Sequence, residues 1–151
     1  MSINVNNKGA RTETAIRDKL RELTGLQFER VPGSGALDPK HQLKGDIYLV
    51  GVNNVYCIEC KGYAEDHLTS KVLTSQNPKL LEFWEQAMRQ GHQVKKKPLL
   101  IFKFDRSKMF VAYEDMPNTT VDNVMISVGT HQFYVSLLDE WIEHEKPKFI
   151  N

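Results

Sequence analysis

The chain has 151 residues, 40% of them apolar and 26% charged. That is the composition of one globular domain with a modest core, and it excludes a disordered, fibrous or multi-domain chain. No run of about 18 apolar residues occurs, so no membrane-spanning helix is expected. The start, Met1-Ser2-Ile3-Asn4-Val5, carries no apolar leader, which makes an intracellular protein the expectation. The net charge is +1, so bulk charge points to no polyanionic partner. Its distribution is uneven: residues 95–108 hold six basic residues and one acid, and residues 139–145 hold four acids and no Lys or Arg. The basic stretch suits either a phosphate-binding patch or a solvated surface.

Residues 1–7 are polar and are expected to be loose. A helix is predicted over residues 9–24, with Ile16, Leu20 and Leu23 as its apolar stripe and Gly25 as its stop. Glu13 falls on the same stripe, three residues before Ile16, so its carboxylate is aimed at the core or a cleft. Residues 26–31 suit a strand, and Pro32-Gly33-Ser34-Gly35 opens a polar loop that runs to Lys44.

Residues 46–52 and 55–61 are rich in Val, Ile, Tyr and Leu and read as two strands of a hairpin. If Asn53-Asn54 is a tight two-residue turn, opposite residues have numbers summing to 107. Lys61 then faces Asp46, Glu59 faces Tyr48, and Asp46, Glu59 and Lys61 share one face. A slip of one residue would break this arrangement. Three charged groups within two apolar strands call for a function. Two carboxylates beside an ammonium suit a divalent cation next to a scissile phosphate. The plainer alternative is an outward-facing salt bridge between Asp46 and Lys61, which leaves Glu59 without a partner. Cys57 and Cys60 stand three apart in a strand, on opposite faces, and are expected to be buried free thiols. His41, His67, His92, His131 and His144 show no ligand spacing and are expected at the surface.

Pro78 suits the start of a helix in which Leu80, Leu81, Trp84, Ala87 and Met88 recur up to Gly91. Residues 98–104, 109–114, 124–128 and 132–135 read as strands, and residues 136–144 as a closing helix that buries Leu137, Leu138, Trp141 and Ile142. Trp84 and Trp141 are expected in the core. The order of elements implies one α/β or α+β domain.

The spacing Asp46 … Glu59-Cys60-Lys61 resembles the PD-(D/E)xK nuclease signature, with Gly45 where that family often has Pro. Gly9 and Glu13 on a first helix, the loop Val31-Pro32-Gly33-Ser34-Gly35 and the hairpin order are similar to archaeal-type Holliday junction resolvases and their viral relatives. The resemblance covers roughly residues 8–114. It implies a restriction-endonuclease-like α/β fold with a mixed β-sheet flanked by helices. The whole chain would then be a single nuclease domain, with residues 115–151 as a C-terminal extension of its core. It also implies a metal-dependent endodeoxyribonuclease that resolves four-way junctions by paired nicks, as a homodimer.

On that reading Asp46 and Glu59 are the primary ligands of Mg²⁺, with Mn²⁺ able to substitute, and the Cys60 carbonyl is a third ligand. Glu13 orients the attacking water or completes a second metal site, Lys61 stabilises charge at the phosphate, and Ser34 contacts the phosphate. Arg11, Arg30 and Lys44 are candidate DNA-backbone contacts. Asp38 is a rival for Asp46 but lies in a polar loop. Gln76 and Lys79 are candidates for the helix residue that often follows the motif. The competing functions are another nuclease of the superfamily (restriction or repair), a non-catalytic DNA-binding module and, more distantly, a thiol-redox protein.

Overall fold

A computed structural model describes residues 5–32 and 44–151, with side chains from residue 9 onward. Its elements are α1 (Val5–Thr24), β1 (Phe28–Arg30), β2 (Ile47–Leu49), β3 (Tyr56–Tyr63), α2 (Lys71–Thr74), α3 (Lys79–Gln93), β4 (Lys97–Phe104), β5 (Met109–Tyr113), β6 (Val124–Val128), β7 (His131–Leu137) and α4 (Leu138–Glu145). Among the described residues the strands form one seven-stranded sheet in the order β1-β2-β3-β4-β5-β7-β6. Among the described strands only β3 and β4 pair in parallel, and the crossover between them carries α2 and α3. The result is a single α/β domain.

The sheet has a core on each face. On one, Ile16 and Leu20 of α1 and Leu138, Trp141 and Ile142 of α4 pack on Ile58, Cys60, Leu99 and Ile101. On the other, Leu80, Trp84 and Ala87 of α3 pack on Leu100, Phe102 and Phe133. Alternation along β3 and β4 therefore sends even-numbered β3 side chains toward α1 and odd-numbered ones toward α3. Both tryptophans are buried, as expected. Residues 115–151 supply β6, β7 and α4 to the same sheet and core.

Several sequence expectations shift. The first helix begins at Val5 rather than residue 9, so residues 5–7 are helical rather than loose. Its end is as expected: Gly25 takes a φ of +73°, and its N–H donates to the Arg21 carbonyl. The closing helix starts at Leu138, because residues 136 and 137 complete β7, and Leu137 is only half-buried.

The larger correction is the hairpin. The β2–β3 register pairs Ile47 with Ile58, a sum of 105 instead of 107, and no two-residue turn forms at Asn53-Asn54. β2 ends at Leu49, and the Asn54 side chain takes the place of the next ladder pair. Its Oδ1 accepts from the Leu49 N–H at 2.7 Å, and its Nδ2 donates to the Leu49 carbonyl at 3.0 Å. The slip is by two residues, so side-chain parity survives.

Candidate active site

The site forms where β2 begins beside the middle of β3. Gly45 holds the entry with a φ of +85°. A Cβ there would lie 2.5 Å from the Ile58 carbonyl oxygen, so both backbone angle and clearance demand glycine. Proline, locked near −65°, has no access to this conformation; that is the physical reason this chain departs from the family pattern. The Gly45 N–H donates to Gln90 Oε1 of α3 at 3.0 Å. The Asp46 N–H then donates to the Ile58 carbonyl at 2.7 Å.

Asp46 spends one carboxylate oxygen on the chain itself: Oδ2 accepts the Cys60 N–H at 2.8 Å. This bond fixes the carboxylate at the lip of the sheet. N–H and C=O of one strand residue point to the same side, so the Cys60 carbonyl also faces the space beyond the start of β2. Glu59 is 3% exposed and projects toward the α3 face. Glu13 stands on α1, which covers the opposite face, and Asp46 lies within side-chain hydrogen-bonding reach of both. The carboxylates thus form an open chain across the rim of the sheet, with Asp46 in the middle.

Their electrostatics are strained. Burial first, then repulsion from Asp46, pushes the Glu59 carboxyl up to about 8, against the opposing pull of Lys61. Burial and Asp46 also raise Glu13, while Arg30 pulls it down. Arg30 Nη2 sits 3.4 Å from Glu13 Oε2. Lys61 makes no ion pair with Asp46 among the described residues; its ammonium lies 5.6 Å from the centroid of the Phe83 ring. The plain salt-bridge alternative is therefore not what the structure contains. The site gathers more negative charge than its own cations balance, and all its donors are oxygens.

The other sequence candidates divide. Arg11 is exposed on α1 and Lys44 is exposed beside Gly45. Arg30 is engaged with Glu13. Ser34, Asp38 and His41 lie outside the described residues. Lys79 pairs with Glu82 at the start of α3, and Gln76 is exposed before it. The α3 residue that does reach the site is Gln90, which sequence reasoning missed. Its sign was a polar side chain three residues after Ala87 on a helix otherwise chosen for its apolar face. Cys57 and Cys60 are buried and free, and burial pushes the Cys57 thiol up to about 12. His144 is exposed, as expected, beside Glu140 and Glu143 on α4. One histidine expectation is corrected: His67 is half-buried against Tyr63, Phe83 and Phe104.

Comparison with known proteins bears on these observations. Residues 4–150 match the family described as "Phage putative PDDEXK endonuclease". A curated relative, Protein D14 of Escherichia phage T5, is 39% identical over 153 residues, covering 95% of each chain.

Proposed function

From the premise that the chain belongs to the phage PDDEXK endonuclease family, and so is a nuclease of the PD-(D/E)xK type, we propose a Mg²⁺-dependent, structure-selective DNA endonuclease that resolves four-way junctions by paired nicks. The observation that carries the nuclease chemistry is the carboxylate chain Glu13–Asp46–Glu59 with Lys61 one strand step beyond. The step from nuclease to resolvase is supported by the resemblance of the first helix, the Ser-Gly loop and the hairpin order. Two symmetric nicks require a two-fold pair of subunits, so the working form is a homodimer.

The residues fit a hard divalent cation. The donors are oxygens, they converge on Asp46, and burial followed by the neighbouring Asp46 charge holds Glu59 up at about 8. Asp46, Glu59 and the Cys60 carbonyl would hold the ion, with Glu13 as an outer or second-site ligand. When bound, it supplies charge relief at phosphorus and lowers the pKa of the attacking water. Asp46 is positioned for this by the Cys60 amide, which leaves its second oxygen uncommitted by that bond. Lys61 presents an ammonium on the same face of β3 as Glu59, where it steadies charge that builds on the phosphate oxygens. Glu13, oriented by Arg30, aligns the attacking water and accepts its proton. Ser34, Arg11 and Lys44 contact the DNA backbone, which is read by shape and charge with little base readout.

A synthetic four-way junction tests this. Glu59→Ala and Lys61→Ala should each reduce Mg²⁺-dependent cutting by at least about a hundredfold, with junction binding retained. Full cutting by either variant overturns the site. Rates on junction, nicked, single-stranded and linear duplex DNA decide the substrate class. Equal rates on all four would remove the resolvase reading and leave a less selective nuclease. Tight binding without cleavage in either Mg²⁺ or Mn²⁺ would favour a non-catalytic DNA-binding module.

A further inference from the structure

A cleft of about 350 Å³ opens on the α1 side of the sheet, beside the proposed catalytic centre. Its walls are Arg11, Thr12 and Ala15 of α1, Gly62 of β3, and Lys103, Phe104 and Asp105 at the end of β4. Two features make it more than a surface dent. First, the parallel β3–β4 register sets Gly62 directly beside Lys103. At Gly62 the Thr12 side chain of α1 sits where a Cβ would be, so the helix packs close against the strand and forms one wall of the cleft. Second, the cleft adjoins the site along two segments of the backbone: Thr12 precedes Glu13 on α1, and Gly62 follows Lys61 on β3, the Lys61 side chain itself turning to the α3 face.

Two cations line the cleft against one carboxylate. The Lys103 ammonium donates to the Phe104 carbonyl at 3.2 Å. An ammonium has three N–H donors, so two remain to serve a ligand. Ammonium donors of this kind, on the wall of a narrow cleft, suit a compact anion.

We propose that this cleft seats a phosphodiester of the bound DNA strand adjacent to the one that is cut, with Lys103 as its principal contact. The inference rests on the nuclease reading. Holding the neighbouring phosphate fixes the register of the scissile one over Asp46 and Lys61, which is positioning in the sense that raises the rate without new chemistry. Lys103 lies within the basic stretch of residues 95–108. Two other members of that stretch are tied elsewhere: Lys96 donates to the Asn54 carbonyl at 3.0 Å, and Lys97 pairs with Asp115 at 2.7 Å.

The test uses the full chain and junction DNA carrying a single neutral methylphosphonate at successive positions around the cut. Binding is measured in EDTA over a salt series. Lys103→Met should weaken binding about three- to tenfold and lower the slope of log affinity against log salt by about 0.9. Lys103→Arg should restore most of both. Lys148→Met, which removes an exposed charge at the far end of the sheet, should leave the methylphosphonate pattern unchanged. In the parent protein one position beside the cut should be sensitive to neutralisation, and in Lys103→Met that sensitivity should vanish. An unaltered salt slope, or the same methylphosphonate penalty in both proteins, overturns the cleft assignment. If the parent binds junctions without cutting any DNA, the nuclease reading fails, and the slope still decides whether a phosphate lies at Lys103. A parent that binds no DNA overturns both.

Discussion

The two halves of the sheet are built by different rules. From β4 to β6 the strands are held by backbone ladders: β4 and β5 share five paired positions, and so do β6 and β7. Between β2 and β3 a single pair, Ile47 with Ile58, suffices. There, side chains occupy backbone groups that a longer ladder would have taken. Asp46 accepts from Cys60, Asn54 brackets Leu49, and Gln90 accepts from Gly45. A complete ladder would bury the rim under another length of strand. Ending it early lets the Asp46 carboxylate, rather than a further strand residue, bond the Cys60 backbone, and local side-chain bonds supply the lost order. The apolar half provides stability, and the edge half provides a shaped, charged opening.

If that division is right, the largest stability effect should come from the half with no chemistry. Phe133 is fully buried and stacks on Trp84 at 4.7 Å. Phe133→Ala should cost about 3–5 kcal/mol in denaturant unfolding, with cutting per folded molecule unchanged. Loss of specific activity equal to that of Lys61→Ala would blur the comparison.

Glu59 should show the opposite bias. Its native carboxyl holds a proton up to about 8, against an ordinary 4.5, so the folded state binds more protons than the unfolded state across that interval. Stability without divalent cations should therefore fall as pH rises from about 4.5 to about 8. Glu59→Gln should flatten that fall and melt above the parent by about 5 °C near the upper end of that range, while abolishing cutting. Mg²⁺ should raise the parent's melting temperature at that pH and leave the variant nearly unmoved; EDTA should reverse the gain. A parent curve that rises over the interval would contradict the charge excess at the rim.

The smallest effect isolates the side-chain brace. Asn54→Ala removes the two bonds to Leu49 and should cost about 1–2 kcal/mol, read as a shift in thermal midpoint. Amide exchange should quicken first at Leu49 and in the 50–55 connection. Exchange that quickens equally in β5 and β7 would mean that the two halves do not unfold separately.

The same contrast explains what could be read in the sequence. Long apolar strands such as β4, and the stripe Leu80, Leu81, Trp84, Ala87 on α3, announce themselves because burial writes a period into the residues. Trp141 and Ile142 on α4 were legible for that reason. The shared face of Glu59 and Lys61 was legible too, since alternation along one strand needs no knowledge of its partner. The register across to Asp46 was not. It depends on Asn54 serving as a surrogate backbone, and an Asn pair between two apolar runs looks the same whether it turns the chain or braces it. Gln90 was hidden similarly, because its partner lies 45 positions away. The early start of α1 at Val5 escaped notice because Asn6, Asn7 and Gly9 are weak helix formers.

Gly62 offers no side-chain donor, acceptor or charge, and a search for reactive groups would pass over it. Yet Thr12 rests where its missing methyl would be, so the height at which α1 rides above β3 is set by the absence of one carbon. Glu13 travels with that helix. Selection at this position acts on headroom rather than on chemistry: a single added methyl would tilt a lever whose far end carries a carboxylate, and an inactive variant could arise with every reactive side chain still in its place.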